Sequence, residues 1–372
     1  MHSESSPKCL LIVYLPEAQL PRFPDQMARF EFLRRRYRIS ALISSGDIGV
    51  DMPHIMRVAS RNPLLFAVKA AAAVHKLPVD YDFIYVIGVP ALMLFAFTAP
   101  RRPVIAYAPT HYLQHFGDPA SLAGKKKLVA ALKRQVFFRG LKKVSSLSSI
   151  SRQLEQLYQP LVRRVLTIPM GVDLQLYAPR APLAALPVPL RIVYAGSGGQ
   201  GRGMELIASC ARRILCEQTA VEFHLIGCRD AMLERLLVDE PALRTVLHLL
   251  PAMPYAEVIA SYGRMDAGLS LLESNIFYRA SPPQKIFEYM AAGLPMICNR
   301  IVTHTDYAGA SAVLVDYEAD SLFEGIIDMC THYGRYRTAA AAIANDMGSY
   351  SYEQVERAFH AEIARQLGSV SG

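Results

Sequence analysis

Short apolar runs alternate with helix-like segments from one end of this chain to the other. Strands are predicted at residues 9–15, 39–44, 83–88, 104–107 and 165–168, with a further short buried strand near 144–147. A second series follows at 191–195, 221–226, 246–250, 267–271, 296–298 and 312–315. Apolar runs with helices between them belong to parallel sheets covered on both faces. The proline-rich stretch 179–189 (PRAPLAALPVP) separates the two series. It can continue neither a helix nor a central strand. The expected architecture is α/β, with two doubly wound parallel-sheet domains facing a central cleft. The domains would be residues 1–180 and 181–350, and a last helix at 351–372 would pack back across them. A chain of 372 residues can fill two cores of that size. Ligands of such sheets bind beyond the carboxyl ends of the strands.

Three segments at such ends carry chemistry. Gly196-Ser197-Gly198-Gly199-Gln200-Gly201-Arg202-Gly203 follows a predicted strand and opens a helix near Met204. Its glycines let backbone amides approach a diphosphate closely, or they simply make a flexible surface loop. It is not a dinucleotide fingerprint, because no suitably placed acid follows the next strand. The second segment is 281–295, SPPQKIFEYMAAGLP. Ser281 with Gln284 three residues on forms a capping-box pattern, and Pro282 and Pro283 suit the first helical positions. Gly293 is a natural stop, so a helix is predicted from 282 to 292. Lys285 and Glu288 then share one face. A lysine at a helix start attracts an anion, and a carboxylate one turn on accepts hydrogen bonds from a ribose diol. The alternative is an ordinary amphipathic helix with a salt bridge. The third segment holds His111, just past a strand, with His115 as its rival. A histidine there can donate to a sugar hydroxyl, take up a proton, or serve only as a structural hydrogen-bonder.

The segment 281–295 resembles the donor-binding helix of glycosyltransferase family 4, the group 1 glycosyltransferases, and its GT-B relatives. Ile168-Pro169-Met170-Gly171-Val172-Asp173 with Tyr177-Ala178-Pro179 is similar to the segment closing that family's first domain. Tyr194-Ala195-Gly196 with Arg202-Gly203 is similar to the first strand and loop of its second domain, and Ser351-Tyr352-Glu353 to the start of its closing helix. The resemblance implies a GT-B fold with an acceptor-binding first domain and a nucleotide-sugar-binding second domain. It implies transfer of a hexose with retained anomeric configuration, no cofactor and no metal. His111 would be the active-site histidine. Gly196, Ser197, Gly198, Arg202, Ser281, Lys285 and Glu288 would bind the donor. Three departures stand out. Ser197 replaces the family's usual arginine, Ala280 replaces the first glutamate of its Glu-x7-Glu pattern, and the turn at 15–19 lacks the usual glycine pair. Glu273 is not equivalent to the missing glutamate by spacing.

The net charge of +8 is unevenly spread. Between 123 and 143 lie Lys125, Lys126, Lys127, Lys133, Arg134, Arg139, Lys142 and Lys143 without an acid. Leu128, Leu132 and Val136 fall at helical spacing among them, with Phe137 beside. Such a helix can lie on an anionic leaflet, or it can pack inward and leave a solvated basic face. No nucleic-acid-binding module accompanies it. The six cysteines show no metal-like spacing and read as buried reduced thiols. The start of the chain has no signal layout, and no apolar run reaches the roughly 20 residues of a membrane span. Asp80-Tyr81-Asp82 stands before a strand, where a metal-binding D-x-D would stand after one. The expectation is a cytoplasmic glycosyltransferase on the inner membrane face, with a nucleotide-sugar donor and a polyprenyl-linked or other surface-glycan acceptor. A silent sugar-nucleotide-binding scaffold and a GT-B-fold epimerase are the alternatives.

Overall fold

The computed structural model describes residues 6–14, 23–44, 49, 54–77, 80–118, 121–178 and 186–368. The turn at 15–19 and most of the proline-rich stretch lie outside the described residues. The chain divides into two compact units, Met1–Met170 with Glu353–Gly372, and Gly171–Tyr352.

The first unit contains β1 (Lys8–Val13), α1 (Pro24–Arg36), β2 (Arg38–Ile43), β3 (Ile55–Arg57), α2 (Pro63–Val74) and β4 (Phe83–Ile87). A buried 3-10 segment, Val89–Ala96, leads to β5 (Val104–Tyr107), α3 (Leu113–Phe116), α4 (Gly124–Leu141), β6 (Ser146–Ser149), α5 (Arg152–Tyr158) and β7 (Val165–Thr167). The described strands form one parallel sheet in the order β3-β2-β1-β4-β5-β6-β7. β4 is buried along its whole length, as a central parallel strand requires. β6 starts later than the apolar pattern suggested. Its three serines are buried, and two of the hydroxyls are satisfied by carbonyls: Ser148 donates to Ala106 and Ser149 to Ser151. β3 was not predicted; it is a three-residue strand beside β2, with Ile55 and Met56 half-exposed and Arg57 exposed.

The second unit contains β8 (Leu190–Ala195), α6 (Met204–Cys216), β9 (Val221–Ile226), α7 (Ala231–Asp239), β10 (Leu247–Leu250) and α8 (Tyr255–Tyr262). It continues with β11 (Ala267–Ser270), α9 (Gln284–Ala291), β12 (Met296–Asn299), α10 (Val302–Ala308), β13 (Ala312–Val315), α11 (Ala319–Thr331) and α12 (Tyr333–Asn345). Its sheet order is β10-β9-β8-β11-β12-β13, again parallel. The order reverses beside β8 in this sheet and beside β1 in the first. Those switch points are where doubly wound sheets hold ligands. One core cluster is built by Ile192, Phe223, Leu225 and Leu269 with Ile207 and Ile214 of α6 and Leu322 of α11.

The last helix, α13 (Tyr352–Gly368), packs on the first unit. Phe359 meets Phe32 and Tyr85 edge-on, and Arg164 donates to the Glu362 carboxylate. At the other end of this crossing, Val172 and Ser351 form a parallel bridge, and the Tyr352 amide donates to the Val172 carbonyl.

Candidate functional site

In the second unit the loop after β8 is held by specific contacts. The Tyr194 hydroxyl donates to the Ser197 carbonyl at 2.8 Å. Asp230 accepts from the Gly199 amide at 3.0 Å while also capping α7. The Tyr317 hydroxyl accepts from the Gly203 amide at 2.8 Å, and the Glu273 amide donates to the Gly201 carbonyl at 2.8 Å. Gly203 is left-handed at φ +75°, and a β-carbon there would collide with Leu271. The loop is therefore a shaped wall, not a slack surface segment.

Lys285 points at this wall. It is buried, and its Nζ lies 3.3 Å from the centre of the Tyr194 ring. A β-carbon on Gly196 would sit 3.6 Å from that Nζ. Arg202 approaches the same place, its guanidinium 5.9 Å from the Tyr278 ring centre. Burial, and then the neighbouring Arg202, push the Lys285 ammonium well below the ordinary lysine range; Glu288 acts the other way. No ion pair links Lys285 to a carboxylate among the described residues. Two cations held close together and only partly offset by Glu288 make a site that an anion would relieve.

Helix α9 corrects one sequence expectation. It begins at Gln284 with Pro283 as N-cap and no side-chain capping bond, so Ser281 does not form a capping box. Residues before proline are pushed into extended backbone, and Ser281 and Pro282 both precede one. The helix start shifts inward, which puts Lys285 in the first turn. The Ser281 hydroxyl is left buried without a hydrogen-bond partner among the described residues. Gln284 instead donates to the Gly171 carbonyl at 3.1 Å.

Glu288 shares the α9 face with Lys285, and both are buried. Its carboxylate accepts a hydrogen bond from Tyr262 at 2.7 Å. Burial raises its pKa, with Tyr262 and Lys285 opposing. Tyr177 and Tyr255 stand beside it with buried hydroxyls. A carboxylate beside two buried hydroxyls is suited to a polyol, which offers hydroxyls that both donate and accept. Sequence reasoning missed Tyr194, Tyr255 and Tyr262. Nothing in their spacing relates them to α9; only the fold does. Ala280 is buried, and Glu273 lies against Gly201.

His111 belongs to the first unit, in the loop between β5 and α3. It is buried, and its Nδ1 accepts from the Leu113 amide at 3.1 Å. Burial lowers its pKa, so at neutral pH the ring is uncharged. With Nδ1 accepting, the proton sits on Nε2, which makes the ring a hydrogen-bond donor on that side. His115 is exposed and bound to the Thr110 hydroxyl at 2.8 Å. Asp82 accepts from the Lys8 amide and Asp80 pairs with Arg102 at 3.8 Å, so both acids have structural partners.

The basic segment is α4. Lys125, Lys126 and Lys127 are exposed; Lys133 and Arg134 are half-buried. Leu128 is 72% exposed, Leu132 51% and Val129 46%. Val136 and Phe137 depart from expectation. Both are buried, Phe137 fully, stacked on Tyr112 and against Phe116. Phe137 is a core residue and cannot touch a membrane in this fold. The physical reason is the helix register. Ala130, Phe137 and Leu141 form the inward face, and Gly140 lets α4 press against the Leu92 carbonyl. Leu128 and Leu132 lie about 160–200° away round the helix.

No protein-family model and no curated protein matches the chain. Solved structures do. Sucrose-phosphate synthase from Thermosynechococcus elongatus aligns over 98% of this chain and 100% of its own, at 13% identity and TM-score 0.73. HepE from Anabaena, in complex with UDP, aligns over 97% and 100%, at 15% identity and TM-score 0.67. The lipopolysaccharide glycosyltransferase WaaG aligns over 95% and 98%, at 13% identity and TM-score 0.65. The fold is GT-B. Within the GT-B fold, the loop after β8 and the start of α9 lie in one unit, and His111 lies in the other. At these identities the likeness carries the fold alone.

Proposed function

We propose that the chain is a glycosyltransferase that moves a hexose from a nucleotide diphosphate sugar to a membrane-associated acceptor. One observation carries the reading: Lys285 and Arg202 converge beside the loop after β8, while Glu288 stands one turn along α9. The cations and the loop would receive the diphosphate. Glu288, Tyr177 and Tyr255 would receive the ribose. Structures of HepE with UDP and with UDP-glucose, and the names of the other neighbours, support a sugar-nucleotide donor.

The transfer step follows from these charges. As the glycosidic bond to the diphosphate breaks, negative charge builds on the leaving oxygen, and Lys285 and Arg202 would stabilise it without a metal. The family resemblance would make His111, neutral with its proton on Nε2, the catalytic histidine. Retention of configuration belongs to this reading through the family resemblance. The acceptor side rests on α4. Its exposed leucines stand among lysines, and a hollow of about 390 Å³ lined by Phe116, Leu122, Val129, Lys125, Lys126 and Lys133 lies at its base. An apolar floor with basic walls suits an isoprenoid phosphate or a similar amphiphile at the inner face of a membrane. A silent donor-binding scaffold is the second reading, favoured by Ala280 and Ser197 at places where the family carries charge.

The test is turnover. Nucleotide sugars are first ranked by thermal stabilisation of the protein. Release of nucleoside diphosphate from the best one is then followed with and without membrane lipid extract. Lipid-dependent release supports the transferase. Tight binding with no release under any acceptor would favour the scaffold.

A further inference from the structure

β9 presents two different faces. Val221, Phe223 and Leu225 are buried in the core cluster, while Glu222 and His224 point to the opposite face and are half-exposed. His248 of β10 is the register partner of His224, so it joins them on that face. His224 Nε2 lies 3.1 Å from Glu222 Oε2, and His248 Nε2 lies 3.6 Å from the same oxygen. The two imidazole centroids are 4.7 Å apart at 34°. All three donor atoms fall within 4.8 Å of one another. We propose that Glu222, His224 and His248 bind one divalent cation of the Zn²⁺ type, with water completing its coordination.

The distances suit such an ion. Donors about 2.0–2.1 Å from a tetrahedral metal stand roughly 3.3 Å from each other, so only small side-chain movements would close the site. A plain histidine–carboxylate hydrogen bond explains one ring and leaves the other unexplained. His248 Nε2 is buried and has no hydrogen-bond partner among the described residues. Such an atom is costly unless something binds it. Two imidazoles and one carboxylate favour Zn²⁺, Co²⁺ or Ni²⁺ over the oxygen-seeking Mg²⁺ and Ca²⁺. Arg191 of β8 is in register with Glu222 and adds a repulsive charge, which moderates the affinity.

The place in the fold gives the ion its role. Glu222 is the second residue of β9, whereas the loop that would take the donor follows the far end of β8. The ion would therefore sit away from the donor loop and clamp β10, at one end of the sheet, to β9. The inference is independent of the proposed reaction.

The experiment uses untagged, chelator-stripped, full-length protein in which the exposed Cys216 is serine. Zn²⁺ is titrated against a chromophoric chelator, with Mg²⁺ as control. Binding of one equivalent of Zn²⁺, a higher melting temperature with Zn²⁺ but not Mg²⁺, and a tetrahedral absorption band with Co²⁺ are expected. H248Q, H224Q and E222Q should each weaken Zn²⁺ binding more than about tenfold. A wild-type protein with no stoichiometric Zn²⁺ uptake overturns the site, and this needs no variant to fold. Undiminished uptake by a folded H248Q protein overturns it equally.

Discussion

The Lys285 ammonium rests on the face of the Tyr194 ring, 3.3 Å from its centre, beside the Gly196 backbone. The ring gives the buried cation a partial counter-charge without satisfying it. A residue placed this way gives up little stability when its charge is removed and much binding. K285M should therefore melt within about 1 kcal/mol of wild type, yet lose on the order of 1.5–3 kcal/mol of nucleoside diphosphate affinity. Calorimetric titration and a thermal melt on the same sample decide it. Unchanged affinity would remove Lys285 from the site.

Glu288 allows its structural and binding roles to be separated. In E288A the buried Tyr262 hydroxyl loses its acceptor, which should destabilise by about 1–3 kcal/mol. E288Q keeps an acceptor for Tyr262 and should spare stability while weakening the nucleotide. If E288Q binds like wild type, the carboxylate serves Tyr262 alone.

The depressed Lys285 pKa has two pH consequences of opposite sign. In the free protein the unfolded state holds more protons between the folded pKa and about 10.4, so this residue makes stability rise with pH across that window. A bound diphosphate raises the pKa again, so binding takes up protons and affinity falls as pH rises. Titration in buffers of different ionisation enthalpy reads the uptake directly. Proton release on binding would contradict the arrangement.

On α4 the outer and inner faces should separate cleanly. Changing Lys125, Lys126 and Lys127 together to glutamate should abolish salt-sensitive sedimentation with anionic liposomes and leave the fold intact. Leu128→Ser should weaken the salt-resistant part. F137A should instead destabilise by about 3–5 kcal/mol, because it empties a core position. Equal pelleting with neutral and anionic vesicles would reduce α4 to a solvated basic face.

Much of this fold could be read from the chain because parallel strands buried on both faces are written as unbroken apolar runs. β6 was placed two residues early because Ser148 and Ser149 hide their polarity in bonds to carbonyls. β3 escaped because three residues at a sheet edge carry no pattern. In the site, Lys285 and Glu288 were legible because helix periodicity relates them. Tyr262 was not, since it reaches Glu288 from α8 across 26 residues. The pairing of His224 with His248 depends on strand register, which no spacing encodes. Phe137 was placed outward because the leucine stripe suggested one apolar face, while the inward face is set by Ala130 and Gly140, residues too small to register as a pattern.

The bridge between Val172 and Ser351 marks where the chain leaves one unit and re-enters it. Everything between is a single uninterrupted piece, whereas the first unit is made of two pieces, the second being the last helix. During synthesis the ribosome therefore completes Gly171–Tyr352 before it has supplied Phe359, Glu362 and the rest of the α13 surface that covers Phe32 and Tyr85. Domains generally fold in the order they are made; here the second unit is complete in the chain before the first is. The half that emerges first lacks the α13 contacts with Phe32 and Tyr85 until α13 itself is translated.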